Sequence, residues 1–208
     1  MKTLRLIAIL ITMTASAVSA NAQFVRFSFG VEGGGLGSYQ FSGQQLSPGF
    51  GYGGYGGVGF ELRLGHVFGL GIETNYRYQT GKHNFTAEPY NGELSVRLSQ
   101  QYIDIPMTIH LWMGQTAIFE AGFLQSILVG SCYEEGDFSM AVDPGALKYH
   151  IGVLAGFKFN LSRLLYLNIR GTYSLSGTYN IIGQSYPAAT LSVGLGVRVY
   201  SYRKSAFK

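Results

Sequence analysis

Apolar and polar residues alternate with period two along most of the chain, in segments separated by turn-rich stretches. Residues 101–112, QYIDIPMTIHLW, show the pattern. Ile103, Ile105, Met107, Ile109 and Leu111 alternate with Tyr102, Asp104, Pro106, Thr108 and His110. Period two puts these sets on opposite faces of a strand. Eight such segments are predicted. The first, Phe24 to Gly35, opposes Val25, Phe27, Phe29 and Val31 to Arg26, Ser28, Gly30 and Glu32. The second, Gly49 to Arg63, opposes Val58, Phe60 and Leu62 to Gly57, Gly59 and Glu61. The third, Phe68 to Gln79, sets Leu70, Ile72, Tyr76 and Tyr78 against Glu73, Asn75, Arg77 and Gln79.

The fourth contains QYIDIPMTIHLW. The fifth, Thr116 to Val129, sets Phe119 and Phe123 against Glu120. The sixth, Leu147 to Phe159, sets Tyr149, Ile151, Val153 and Phe157 against Lys148, His150 and Lys158. The seventh sets Leu165, Leu167 and Ile169 against Asn168 and Arg170. In the eighth, Leu191, Val193, Leu195, Val197 and Val199 oppose Ser192, Gly194, Gly196, Arg198 and Tyr200.

The connections alternate in length. Short ones fall near Leu64-Gly65-His66, Met113-Gly114-Gln115 and Asn160-Leu161-Ser162-Arg163; long ones span 36–48, 80–94, 130–146 and 176–188. This alternation matches an outer-membrane barrel with tight periplasmic turns and longer external loops. The predicted class is all-β, an eight-stranded antiparallel transmembrane β-barrel. A soluble periplasmic barrel or sandwich would also alternate. The asymmetry of the faces weighs against it. One face is uniformly large and aliphatic or aromatic, whereas the other carries charge among glycines and has too few large apolar groups for a soluble core. That fits lipid outside and a filled polar lumen inside. Glycines at 69, 71, 152, 156, 194 and 196 make room for long charged neighbours. Tyr76, Tyr78, Tyr149, Tyr166, Tyr173, Tyr179 and Tyr200 are candidates for interfacial aromatic girdles.

The amino terminus adds export. Lys2 and Arg5 precede an apolar run from Leu6 to about Met13, and small residues lead to Ala20-Asn21-Ala22. This is a signal peptide, with cleavage placed after Ala22 and Ala20 as the second choice. Residues 1–22 are the leader and 23–208 the barrel domain. Removing the leader leaves 13 basic against 11 acidic residues, a balance that gives no reason to invoke nucleic acid. The chain has 5 prolines, 15 tyrosines and 14 phenylalanines, which argues against disorder, and its one cysteine, Cys132, cannot form an internal disulfide.

QYIDIPMTIHLW, with AIFEAGFLQSILVG after it, resembles the Tyr-(Leu/Ile)-(Asp/Glu)-Ile-Pro strand and following Glu-Ala-Gly strand of small outer-membrane β-barrels of Bacteroidetes, the porin-family proteins that include relatives of PorT. YHIGVLAGFKFNL and LYLNIRGTYSLSGTYNI resemble that family's Gly-rich sixth and Arg-containing seventh strands. The likeness covers residues 23–208 and implies a fold and an outer-membrane location, but no substrate. The chain departs from barrels that stop at a terminal aromatic. Ser201–Lys208 carries three basic residues beyond the eighth strand, leaving Tyr200, Tyr202 or Phe207 to serve as the terminal signal.

Candidate chemistry is sparse. Asp104 and His110 share a strand face but lie six residues apart, roughly 20 Å on a straight strand, too far for acid–base partnership. Asp104 is expected to pair with Arg77 or another basic lumen group. The four histidines have no metal-binding spacing. His150 beside Lys148 is the one residue placed to act as a base on lipid. Gly-x-Gly patterns in SPGFGYGGYGGVGFE lead into a strand rather than the helix a phosphate loop needs. The acidic stretch CYEEGDFSMAVDPG lacks calcium-loop spacing. No catalytic, cofactor or metal residues are assigned. The site residues are a lumen charge cluster of Glu73, Arg77, Asp104, Glu120, Lys148, Lys158, Arg170 and Arg198. The expected role of this monomer is structural or binding: its wall meets outer-membrane lipid, and its external loops meet a ligand or protein partner. A narrow pore and a PorT-like secretion scaffold are the alternatives, and a lipid A-modifying enzyme the last.

Overall fold

The computed structural model describes residues 24–41, 49–87, 92–135, 138–141, 149–176, 178–179 and 185–205. The predicted leader, Lys148, Phe207 and residues 136–137 and 142–145 of the acidic stretch lie outside them. Described are β1 (Phe24–Gln40), β2 (Gly49–Leu64), β3 (Phe68–Ala87), β4 (Gly92–Met113), β5 (Ala117–Glu135), β6 (Phe138–Ala141), β7 (Tyr149–Asn160), β8 (Leu165–Ser174), β9 (Thr178–Tyr179), β10 (Ser185–Tyr186) and β11 (Ala188–Ser205). β1, β2, β3, β4, β5, β7, β8 and β11 pair in that order, every pairing antiparallel, and β11 returns to β1 to close an eight-stranded barrel. β6 adds to the end of β5, and β9 and β10 form a separate two-stranded ribbon.

Tight turns at 65–67 and 114–116 and the connection 161–164 share one end of the barrel with the start of β1 and the end of β11. Gly65 and Gly114 have φ of 67° and 75°, a left-handed conformation that only glycine adopts cheaply. In the third connection the Ser162 hydroxyl accepts from the backbone N–H of Leu164 and Leu165. The long connections lie at the other end.

The faces decide which medium the wall meets. Phe123 is 62 % exposed on the outer face while Glu120, three residues before it, is fully buried inside. Leu70, Ile72, Ile109, Val193 and Leu195 are exposed outward, whereas Glu73, Lys158 and Arg170 are buried inward. The wall is thus the reverse of a soluble barrel, apolar outside and polar within.

Several strand limits differ from the sequence reading. β1 runs on to Gln40 through Gly33-Gly34-Gly35, where missing side chains hide the alternation. Most of stretch 80–94 is strand: the β3–β4 ladder continues to Ala87↔Gly92, leaving a four-residue connection. At 20 and 22 residues, β3 and β4 are about twice the 9–11 residues a crossing needs, so this hairpin stands beyond the apolar band. β5 continues past Val129 through a bulge. Gln101 faces Gly130 but Tyr102 faces Leu128, so Val129 is extra and the inward set changes parity there. A second bulge lies in β11, where Phe29 faces Tyr200 but Gly30 faces Arg198. Val199 is extra, Val199 and Tyr200 both point outward, and Tyr200 leaves the polar face to which strict alternation assigned it. The last strand also reaches Ser205, beyond Tyr200.

Pro106 sits inside β4 without a bulge of its own. The β3–β4 ladder pairs Ile72↔Met107 and resumes at Asn75↔Asp104 in the same register, silent opposite Ile105 and Pro106. The β4–β5 ladder runs through Pro106↔Leu124. The missing N–H is absorbed by a gap on the β3 side alone.

Candidate functional site: the charged lumen

Five charged side chains from five strands meet in the middle of the barrel. Arg170 on β8 donates from Nη1 to Glu73 Oε2 (2.8 Å) and from Nη2 to Glu73 Oε1 (3.0 Å). β3 and β8 are four strands apart whichever way the ring is followed, so this contact spans the lumen. The same guanidinium donates from Nε to Glu120 Oε1 (2.7 Å) and from Nη2 to Oε2 (3.1 Å). Lys158 Nζ on β7 donates to Glu73 Oε1 at 2.7 Å and lies 3.3 Å from Glu120 Oε2. Glu32 on β1 closes the ring. Its Oε2 accepts from Tyr166 Oη (3.2 Å) and Asn168 Nδ2 (3.3 Å), and its Oε1 lies 3.7 Å from Arg170 Nη1. Burial of so many charges is tolerable only because each is paired and hydrogen-bonded.

Around this plug the polar packing continues. His110, on the Pro106 face of β4, places Nε2 2.8 Å from Thr108 Oγ1 and 3.6 Å from Glu120, with Nδ1 3.5 Å from Glu61. Toward the loop end, Arg77 donates from Nε to Asp104 Oδ2 (2.6 Å) and from Nη1 to Gln79 Oε1 (2.7 Å), and lies over the Tyr102 ring at 4.2 Å. Beyond it, Gln79 donates to Gln100 at 3.1 Å. Small voids of about 40, 20 and 20 Å³ remain in the lumen. Since one water needs about 10–15 Å³, each holds a few waters at most.

The sequence-derived charge cluster therefore separates into parts. Glu73, Glu120, Lys158 and Arg170 meet. Arg77 and Asp104 form their own pair on the loop side. Arg198 stands on the turn side, 5.0 Å from the Tyr166 ring, and Lys148 lies outside the described residues. Sequence reasoning left out Glu32, Glu61, Tyr166 and Asn168. The first two were legible as charges on inward faces. Tyr166 was assigned to a girdle, yet it is 7 % exposed and points inward. The period-two parity it shares with Asn168 and Arg170 was the available signal. Asp104 and His110 serve different partners, and His150 packs edge-on against Tyr102 with centroids 5.7 Å apart.

Some lumen glycines make room for rings as well as for charge. A Cβ at Gly196 would overlap the Tyr166 ring, and one at Gly59 would come within 2.9 Å of Glu73 Cγ. Among the described residues no cluster of three or more His, Cys, Asp or Glu could hold a metal ion.

A family model described as an outer membrane protein beta-barrel domain matches residues 16–180. No curated protein sequence matches the chain. Among solved structures, Neisserial surface protein A is 16 % identical with a TM-score of 0.57, covering 83 % of this chain and 98 % of that one. Ail of Yersinia pestis, in complex with the heparin analogue sucrose octasulfate, is 9 % identical with a TM-score of 0.47, covering 86 % and 99 %. The first of these likenesses shows the shared barrel fold.

Proposed function

The chain belongs to the outer membrane protein beta-barrel domain family, and from that premise we propose a closed-lumen barrel that works at the cell surface through its loop end. The leader 1–22 is removed after Ala22, residues 23–208 form a monomeric barrel, and the external connections meet a small ligand or protein partner. One observation carries the closed lumen: the Arg170–Glu73 contact crosses the full bore and is tied on either side by Glu120, Lys158 and Glu32. A solute would have to break several charge-assisted hydrogen bonds at once. The long β3–β4 hairpin favours an external role, since it carries paired backbone well past the apolar band.

The chain's relation to PorT-like Bacteroidetes proteins belongs to the same proposal. A barrel with a locked lumen suits scaffolding as well as ligand binding, and neither reading assigns it catalysis.

Purified protein reconstituted in planar bilayers tests the closed lumen: no steady unit conductance is expected, and a steady unit conductance overturns it in favour of a narrow pore. Crosslinking on intact cells followed by detergent extraction tests the external role. Recovery of a reproducible partner supports it, and repeated isolation of the barrel alone counts against a protein partner.

A further inference from the structure

The charge of this barrel is sorted along its axis. Of its 11 acidic residues, five lie in the lumen (Glu32, Glu61, Glu73, Asp104 and Glu120), and the other six occupy sequence positions 88–93 and 134–143, in and beside the long connections. None of the five lumen acids lines the cavity at the turn end. That end carries Arg26, Arg63, Arg163 and Arg198, and the β1–β11 register sets Arg203 opposite Arg26.

These arginines surround a cavity. A vestibule of about 600 Å³ opens at the turn end, lined among the described residues by the guanidinium groups of Arg26, Arg63, Arg163 and Arg198 together with His66 and Trp112, with no carboxylate among those described residues. Its volume is that of a small-molecule site. Trp112, 7 % exposed, organises its wall: Arg63 Cζ stacks 3.8 Å from the indole centroid and Arg198 Cζ lies 5.8 Å from it. Two like charges are thus held against one ring, a placement that cation–π attraction permits. Arg63 is oriented further by donating to the His66 carbonyl at 2.7 Å, and Arg26 by donating to Ser201 Oγ at 2.6 Å. Arg198 is 8 % exposed and separates the vestibule from the small void beside Glu61. Its Nη2 and the Trp112 indole N–H are buried and meet no acceptor among the described residues. Buried donors without acceptors are rare in folded proteins and call for a partner.

We propose that this periplasmic vestibule is a binding site for a phosphate-bearing anion, seated between Arg63 and Arg198 against Trp112, with Arg26 and Arg163 at its rim. Guanidinium forks match the oxygens of a phosphate in paired hydrogen bonds. Two sources offer this chemistry at the periplasmic mouth: the headgroup of an inner-leaflet phospholipid, and a soluble organophosphate or pyrophosphate. The site is independent of the closed-lumen reading, and its test does not depend on conductance.

The experiment is isothermal titration of inorganic pyrophosphate into the full barrel in phosphate-free detergent. Saturable binding that weakens with ionic strength is expected. The double variant Arg63→Gln/Arg198→Gln should weaken it about tenfold or more, the loss of charged hydrogen bonds. Retained folding is checked by the gel shift between unheated and boiled samples. Should that variant not fold, Arg26→Gln/Arg163→Gln at the rim decides the matter, with a weakening of about threefold expected. No binding by the folded wild type, or binding that a folded variant leaves unchanged, overturns the proposal. Nanodiscs then separate the sources. Weaker pyrophosphate binding in phosphatidylglycerol than in phosphatidylcholine discs identifies a lipid headgroup as the occupant, and equal binding in both identifies a soluble phosphate.

Discussion

Arg170 and Glu73 stand on diametrically opposed strands and join by two hydrogen bonds of 2.8 and 3.0 Å through the middle of the barrel. A barrel wall is held by its ladders, but nothing in a ladder fixes what fills the bore. In this lumen one guanidinium bridges two carboxylates from β3 and β5, and the lysine of β7 repeats the bridge at 2.7 and 3.3 Å.

Replacing Arg170 by Met should therefore cost about 3–5 kcal/mol, the range seen when one member of a buried pair is removed and its partners stay charged. Glu32, Glu73 and Glu120 would then face Lys158 alone. Urea unfolding followed by the heat-dependent gel shift would measure the loss; a change below about 1 kcal/mol would mean that the network contributes little to stability.

The Arg77–Asp104 pair makes a narrower case. Asp104→Asn keeps the shape but removes the charge that Arg77 meets at 2.6 Å. Charged hydrogen bonds contribute about 1.5–3 kcal/mol, so a loss in that range is expected. A double-mutant cycle with Arg77→Met isolates the coupling, and near-zero coupling would show that the Tyr102 ring and Gln79 hold Arg77 without the acid.

Glycines differ by what stands beside them. Gly196→Ala would place a Cβ within the Tyr166 ring and should destabilise by about 1–3 kcal/mol, the usual cost of overpacking. Gly35→Ala meets only the Gly53 carbonyl oxygen at 3.9 Å and should be close to neutral. Equal effects of the two in parallel unfolding curves would contradict the close packing of Tyr166 on Gly196.

The outer face supplies a polarity test. Ile72 is exposed and adjacent in sequence to Glu73, so Ile72→Arg presents a charge to lipid. A cost of about 2–4 kcal/mol is expected near the bilayer midplane. In a soluble barrel the same substitution would add a harmless surface charge, so unaltered stability in lipid would overturn the membrane orientation of the wall.

Alternation was enough to recognise the strands, since each needs only its own residues to show two faces. It failed at Val129 and Val199 because a bulge is a relation between two strands. Tyr200 changed face, and β5 changed parity beyond Val129, through an extra residue that neither strand reveals alone. It also stopped short in the β3–β4 hairpin, where backbone pairing continues after the apolar signal fades. The skipped pairing at Pro106 was legible from proline's missing N–H; that β3 takes the gap and β5 does not was visible only in the ladders.

By itself, then, the chain's pattern determined an eight-stranded wall with an apolar and a charged face, because period two and turn glycines act over a few neighbouring residues. The tertiary structure decided what those charges do. Closure sets β8 opposite β3, brings Glu32 from β1 beside Arg170 across 138 positions of sequence, and carries Arg198 down to Trp112 and Arg63 at the turn end of the barrel. The partners of a buried charge depend on strand order, stagger and bulges, which are properties of the closed ring and of no single strand.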